Sequence, residues 1–210
     1  MNPAFDHGPR NFVRWIHRMS LAACVGMLAT LTHAAAVRTE HVEAELVPEH
    51  TALVPGQKTT VALRLKMADG WHTYWRNPGD SGLPTTLAWK LPNGVGVGSI
   101  EWPAPRALPA GPLVNYGYEG EVLLLTELTI PRDAPVGAPY TLAARADWLV
   151  CRETCIPEGA DLELVLPVAE SAHPYPQWSA AIAATRAALP SALADWHVAA
   201  RADGSNVVLT

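Results

Sequence analysis

Cysteine is almost missing from this chain: there are three among 210 residues, Cys24, Cys151 and Cys155. There is no second cysteine pair and no His-x-His, which leaves few ways to complete a tetrahedral metal site. Basic residues are also scarce, with 15 Lys and Arg against 20 Asp and Glu for a net charge of −5, and they are scattered along the sequence. Nucleic-acid binding rests on a clustered basic face, so no nucleic-acid partner is expected. Between residues 40 and 168 no long segment of 3.6-residue periodicity occurs, and the apolar run "LAACVGMLATL" is too short for a permanent membrane span.

That apolar run does fit another role. It follows Arg10, Arg14 and Arg18 and leads to the small-residue stretch Ala34-Ala35-Ala36, the layout of a secretory signal peptide over residues 1–36. Leu21-Ala22-Ala23-Cys24 has the letters of a lipoprotein cleavage box, but it stands at the beginning of the apolar run, where such a box should end it. Removal of the leader takes Cys24 with it. Cys151 and Cys155 then arrive together in an oxidising compartment, where a disulfide or dithiol couple is the expected state.

From residue 40 to 168, short apolar or alternating runs are separated by Pro and Gly, the punctuation of an all-β domain. "HVEAELVPE", "TTVALRLKM", "TTLAWKLP", "GSIEWP", "EVLLLTELTIP", "YTLAARADWLV" and "ADLELVLPV" read as strands. In the second, Val61, Leu63, Leu65 and Met67 alternate with Thr60, Ala62, Arg64 and Lys66, predicting one buried and one wet face. About seven strands at this spacing favour an immunoglobulin-like β-sandwich over residues 37–168. Trp178, Ile182, Thr185 and Leu189 then recur at helical spacing, predicting a short helix from Pro176 to Leu189 inside a linker, residues 169–192. Residues 193–210 read as a strand, an Asp-Gly turn and a second strand cut short, the start of a truncated second β module.

Three roles compete for Cys151 and Cys155. As a structural staple, the pair would flank a three-residue turn, Arg152-Glu153-Thr154, and opposed strand positions lie within disulfide reach. A bridge closing about five residues stabilises by only ~2 kcal/mol in the chain-entropy model, however. As a redox couple, the sulfurs would be reachable at a surface loop, with Asp147 and Glu158 as candidates for handling the proton. As half of a metal site, the thiolates would need His72, His173 or Met67. Spacing and compartment leave staple and redox couple undecided.

A second constellation adds to this. "GWHTYWRNPGDSGLPT" sets Trp71, Tyr74 and Trp75 beside a Pro- and Gly-rich loop, and "VNYGYEGEVLLL" places Tyr116 and Tyr118 before a strongly apolar strand. Large aromatics are core by default, but either segment is placed to shield the sulfurs between encounters. Together with "WLVCRETCIPEGADLEL", in that order after a signal peptide, these motifs resemble the periplasmic N-terminal region of DsbD-type protein-disulfide reductases. They are closest to the ScsB branch associated with copper tolerance. The resemblance runs from about residue 40 to the end.

It implies an immunoglobulin-like domain followed, in the complete protein, by a membrane-embedded reductase domain and a thioredoxin-like domain. The implied role is electron relay to oxidised periplasmic thiol proteins, with no dissociable cofactor beyond the Cys151-Cys155 disulfide. The implied location is the periplasm, tethered to the inner membrane. By similarity Cys155 attacks and Cys151 resolves, although three residues separate them where DsbD has a longer insertion. A copper-binding module and a non-enzymatic interaction domain are the rival expectations.

Overall fold

A computed structural model describes residues 35–191 and 199–209. The expected signal peptide lies almost wholly outside them, as do Cys24 and the Trp196-His197 beginning of the expected second module. Among the described residues no helix is long and apolar enough to cross a membrane.

Two antiparallel sheets form an immunoglobulin-like sandwich. The first is built, in spatial order, from β1 (Val37–Arg38), β2 (Val42–Pro48), β3 (Lys58–Met67), β9 (Glu121–Thr129) and β6 (Gly96–Glu101). The second runs β11 (Cys155–Pro167), β10 (Pro139–Cys151), β4 (His72–Gly79), β8 (Leu113–Glu119) and β7 (Arg106–Ala110), with β5 (Thr86–Lys90) paired to β10. The alternating apolar positions of both sheets meet in one core. Leu46, Leu63, Leu65 and Leu124 come from the first sheet, and Leu142, Trp148, Val150, Leu162 and Leu164 from the second. The opposite face of the first sheet carries a smaller cluster, Val47, Ala62, Leu123 and Leu125, closed by Ile182 of α1 (Ser179–Ala187).

This helix corrects the expectation of a wet face on β3. Thr60, Ala62 and Arg64 are buried, and Lys66 alone of the four alternating polar-face positions stays exposed. Arg64 is satisfied there by Glu43, Glu45 and Glu121 at 2.6–2.9 Å, with its guanidinium 5.3 Å from the Trp178 ring centre. Burial opposes its charge, but the hydrogen bonds it donates to those carboxylates raise its pKa. Arg186 fastens the helix through paired hydrogen bonds to Glu49 at 2.9 and 2.8 Å. The helix is shorter than expected, with Trp178 at its N-cap.

Two aromatic segments not counted among the expected strands are strands. Residues 72–79 are β4 and residues 113–119 are β8, joined in register at Tyr74↔Gly117. The C-terminal segment forms a closed hairpin, β12 (Ala200–Asp203) with β13 (Asn206–Leu209), turning at Gly204.

Candidate functional site

The longest hairpin of the fold carries the cysteines at its tip. β10 and β11 stay in unbroken register from Pro139↔Pro167 to Cys151↔Cys155, so the connection shrinks to Arg152-Glu153-Thr154. Directly opposed positions bring the sulfurs together, and Cys151 and Cys155 form a disulfide of 2.05 Å. Strand alternation decides which way it faces. Val150, Trp148 and Ala146 point into the core, so Cys151, Leu149, Asp147 and Arg145 lie on the outer face of the sheet.

Although it lies on the outer face, Cys151 is only 2% exposed, whereas Cys155 is exposed. The cover comes from β4. Cys151 pairs with His72, which puts Tyr74, two residues on, above the same face. The Tyr74 hydroxyl donates to Cys151 Sγ at 3.0 Å and lies 3.5 Å from Cys155 Sγ. His72 Nε2 stands 3.4 Å from that hydroxyl, with the two rings edge to face. Burial raises the Tyr74 pKa above its ordinary 10.0 and lowers that of His72 below 6.5, the latter against the opposing pull of Glu119. At neutral pH the phenol therefore keeps its proton and the imidazole is neutral.

Tyr74 is itself covered by the loop that joins β4 to β5. Gly82, at φ +93°, lies so close to the ring that a Cβ there would stand 2.3 Å from Tyr74 Cε1. Only glycine combines that backbone conformation with that approach. The loop is tied to β8 by polar bonds: Ser81 N and Oγ both donate to the buried Asn115 Oδ1 (2.9 and 3.0 Å), and Val114 N donates to Asp80 Oδ2 at 2.7 Å. Leu83 at its tip is 65% exposed. With Pro84, Leu149 and Pro157 it lines a groove of about 450 Å³ along the same outer face.

The other expected site residues are placed as follows. Trp71 packs on His41 with ring centres 3.7 Å apart, and Arg152 lies 5.4 Å from its ring. Trp75 packs against the core with Arg76 over its ring. Tyr118 faces the core, donating its hydroxyl to Pro103 O at 2.7 Å, and burial raises its pKa. Tyr116 is 38% exposed and lies beside Gly79. Of the five aromatics, Tyr74 is the one hydrogen-bonded to the sulfurs.

Neither carboxylate is positioned like Tyr74. Asp147 shares the cysteines' face but sits four residues back, about 13 Å along the strand, in an ion pair with Arg145 at 2.8 Å. Glu158 points to the opposite face from Cys155, where it accepts from Thr39 Oγ1 and meets His41 Nδ1 at 2.7 Å. It ties β11 to the β1–β2 edge. For the metal alternative, His72 neighbours the sulfurs, whereas Met67 is core and accepts from Thr73 at 3.8 Å. His173 bonds through its backbone to Thr51, beyond the far end of the 13-residue β11. Among the described residues no group of three or more His, Cys, Asp and Glu is placed to hold a metal ion.

Sequence reasoning missed Gly82, Asn115 and the use of His72 as a partner of Tyr74. The signal for the last was the His-Thr-Tyr alternation, which on a strand puts His72 and Tyr74 on one face.

Residues 43–167 match the family described as "Thiol:disulfide interchange protein DsbD, N-terminal". Among solved structures, the N-terminal periplasmic domain of ScsB from Proteus mirabilis is similar in fold. Its TM-score is 0.61 at 19% identity, over 85% of this chain and 67% of that one. The N-terminal domain of Neisseria meningitidis DsbD in the reduced form aligns at 18% identity and TM-score 0.27, over 62% of this chain and 90% of that one. The yeast GGA1 GAE domain aligns at 12% identity and TM-score 0.36, over 63% and 96%. No curated protein sequence matches the chain.

Proposed function

The chain belongs to the family of DsbD N-terminal domains, and from that premise we propose that Cys151 and Cys155 are the working couple of a periplasmic thiol-disulfide exchange module. In the dithiol state the Cys155 thiolate attacks a partner disulfide, and Cys151 then displaces the reduced partner. A thioredoxin-like domain and a membrane-embedded domain of the same full-length protein, anchored in the inner membrane, would return the electrons. Oxidised periplasmic thiol proteins would receive them. The couple works without a dissociable cofactor.

The observation that carries this reading is the asymmetry at the hairpin tip: one sulfur belongs to an exposed residue and the other to a residue buried beneath a tyrosine hydroxyl. Exchange needs one sulfur within reach of a partner and a second held back to close the bond again. The loop of residues 80–85 is the shield in this reading, with Tyr74 beneath it. The groove beside Leu83 supplies apolar surface to a docking partner.

A structural staple would place the cysteines differently. Cys151 and Cys155 already face each other at the end of thirteen consecutive strand pairs, so the bridge restrains little that the hairpin leaves free. The Cys151→Ser/Cys155→Ser double variant is expected to lose all exchange while its thermal midpoint falls by only a few degrees. That shift corresponds to at most ~2 kcal/mol. Loss of the cooperative unfolding transition would mean that the bridge holds the fold. Retained exchange would dismiss the couple.

A further inference from the structure

Three groups follow one another on the outer face of the second sheet: His72 Nε2, then Tyr74 Oη at 3.4 Å, then Cys151 Sγ at 3.0 Å. The backbone sets this order. Cys151 is paired with His72 across the sheet, and Tyr74 follows on the same face of β4. A disulfide needs no such chain, since a sulfur-sulfur bond carries no proton. A resolving thiol does, because only its thiolate can attack. The separation of 3.4 Å is long for a hydrogen bond, as expected of a contact that tightens only in the reacting complex.

We propose that His72, acting through Tyr74, takes the proton that Cys151 must lose before it can resolve a mixed disulfide. The inference rests on the reading of the couple as redox-active. In the mixed disulfide Cys155 is bonded to the partner sulfur and Cys151 is a thiol. The Cys151 proton moves to the Tyr74 oxygen as the hydroxyl proton of Tyr74 moves to His72 Nε2. Cys151 becomes a thiolate, Tyr74 ends with the proton count it began with, and His72 becomes an imidazolium. The thiolate electron pair then forms the Cys151–Cys155 bond. The bond from Cys155 to the partner breaks with its pair on the partner sulfur, which leaves as a thiolate. The couple gives up two electrons, the partner gains two, and His72 returns its proton to solvent.

The surroundings suit this direction of transfer. Burial keeps His72 neutral before the step, as a proton acceptor must be. Glu119 faces it directly across β8 and favours the imidazolium once it forms. On the β10 side its neighbour is Cys151. The nearby cations are turned elsewhere, Arg152 to the ring of Trp71 and Arg76 to that of Trp75. His72 touches no reacting atom and is a positioning residue; Tyr74 is the group at the sulfur.

The test uses the reduced full chain and an aromatic disulfide, dithio-bis-nitrobenzoate, whose coloured thiolate is released once when Cys155 attacks and again when Cys151 resolves. In the parent, the second release is expected to slow as pH falls through a value below 6.5. His72→Gln, which can still hydrogen-bond but cannot titrate, is expected to lose that inflection. It should also slow the second release at neutral pH by roughly tenfold to a hundredfold, with the first release unchanged. Tyr74→Phe should lose the same inflection, and the double variant should be no slower than Tyr74→Phe alone. An unchanged pH profile in His72→Gln, or losses that multiply in the double variant, would overturn the relay. Absence of any release from the reduced parent would instead overturn the redox reading beneath it.

Discussion

A Cys151→Ser variant is expected to attack a partner disulfide once and then stop, accumulating as a covalent mixed disulfide through Cys155. Turnover should be lost completely. The reason lies in the division between the two sulfurs. Cys155 is exposed at the start of β11 and can meet an incoming disulfide in line, whereas Cys151 lies beneath the Tyr74 hydroxyl and reaches only its neighbour. Removing the buried thiol therefore spares the first displacement and deletes the second. Cys155→Ser should form no adduct under the same conditions. Mass spectrometry after acid quench and alkylation reads both variants. Equal trapping by the two would mean that the cysteines are interchangeable and that the burial asymmetry carries no role.

Gly82→Ala should speed reduction of the disulfide by a small thiol by roughly tenfold to a hundredfold. A methyl at position 82 meets three atoms of the Tyr74 ring at 2.3–2.5 Å, so the closed loop cannot keep its place. If the loop is the proposed shield, an overpacking penalty of about 1–3 kcal/mol acts on its closed state alone, and each ~1.4 kcal/mol raises the open population about tenfold. Backbone strain must be separated from displacement, because alanine at φ +93° is disfavoured wherever it occurs. Gly137 provides the control: its φ is +92° and nothing lies within 4 Å of a Cβ built there. Gly137→Ala should lose comparable stability while leaving the reduction rate at the parent value. If both substitutions accelerate reduction alike, general loosening is at work and the loop is no shield.

The fold was legible to the extent that its strands alternate. The expected runs in β2, β3, β9, β10 and β11 lie where the apolar positions recur every second residue, and the core takes the residues that the pattern points inward. β4 and β8 were not among the expected strands, because Pro, Gly and Asn in their sequences disfavour strand locally. Backbone pairing with neighbouring strands overrides that local preference. The wet face assigned to β3 was wrong for a related reason: a helix more than a hundred residues later covers it, and no local pattern announces a tertiary partner.

At the site, the sequence named both cysteines and the tyrosine whose hydroxyl meets their sulfurs. It also offered Asp147 and Glu158, which strand parity and Arg145 draw to other tasks. A glycine packed against the Tyr74 ring left no chemical signature in the sequence. Its meaning comes from the ring it touches.

The most direct measurement is the reduction potential of the Cys151–Cys155 couple, obtained by equilibrating the folded chain in graded thiol-disulfide buffers while circular dichroism confirms that the sandwich stays intact. The account predicts a reversible two-electron transition between roughly −270 and −120 mV, the span of known oxidoreductases. A couple well below about −300 mV, opening only as the fold is lost, would contradict it.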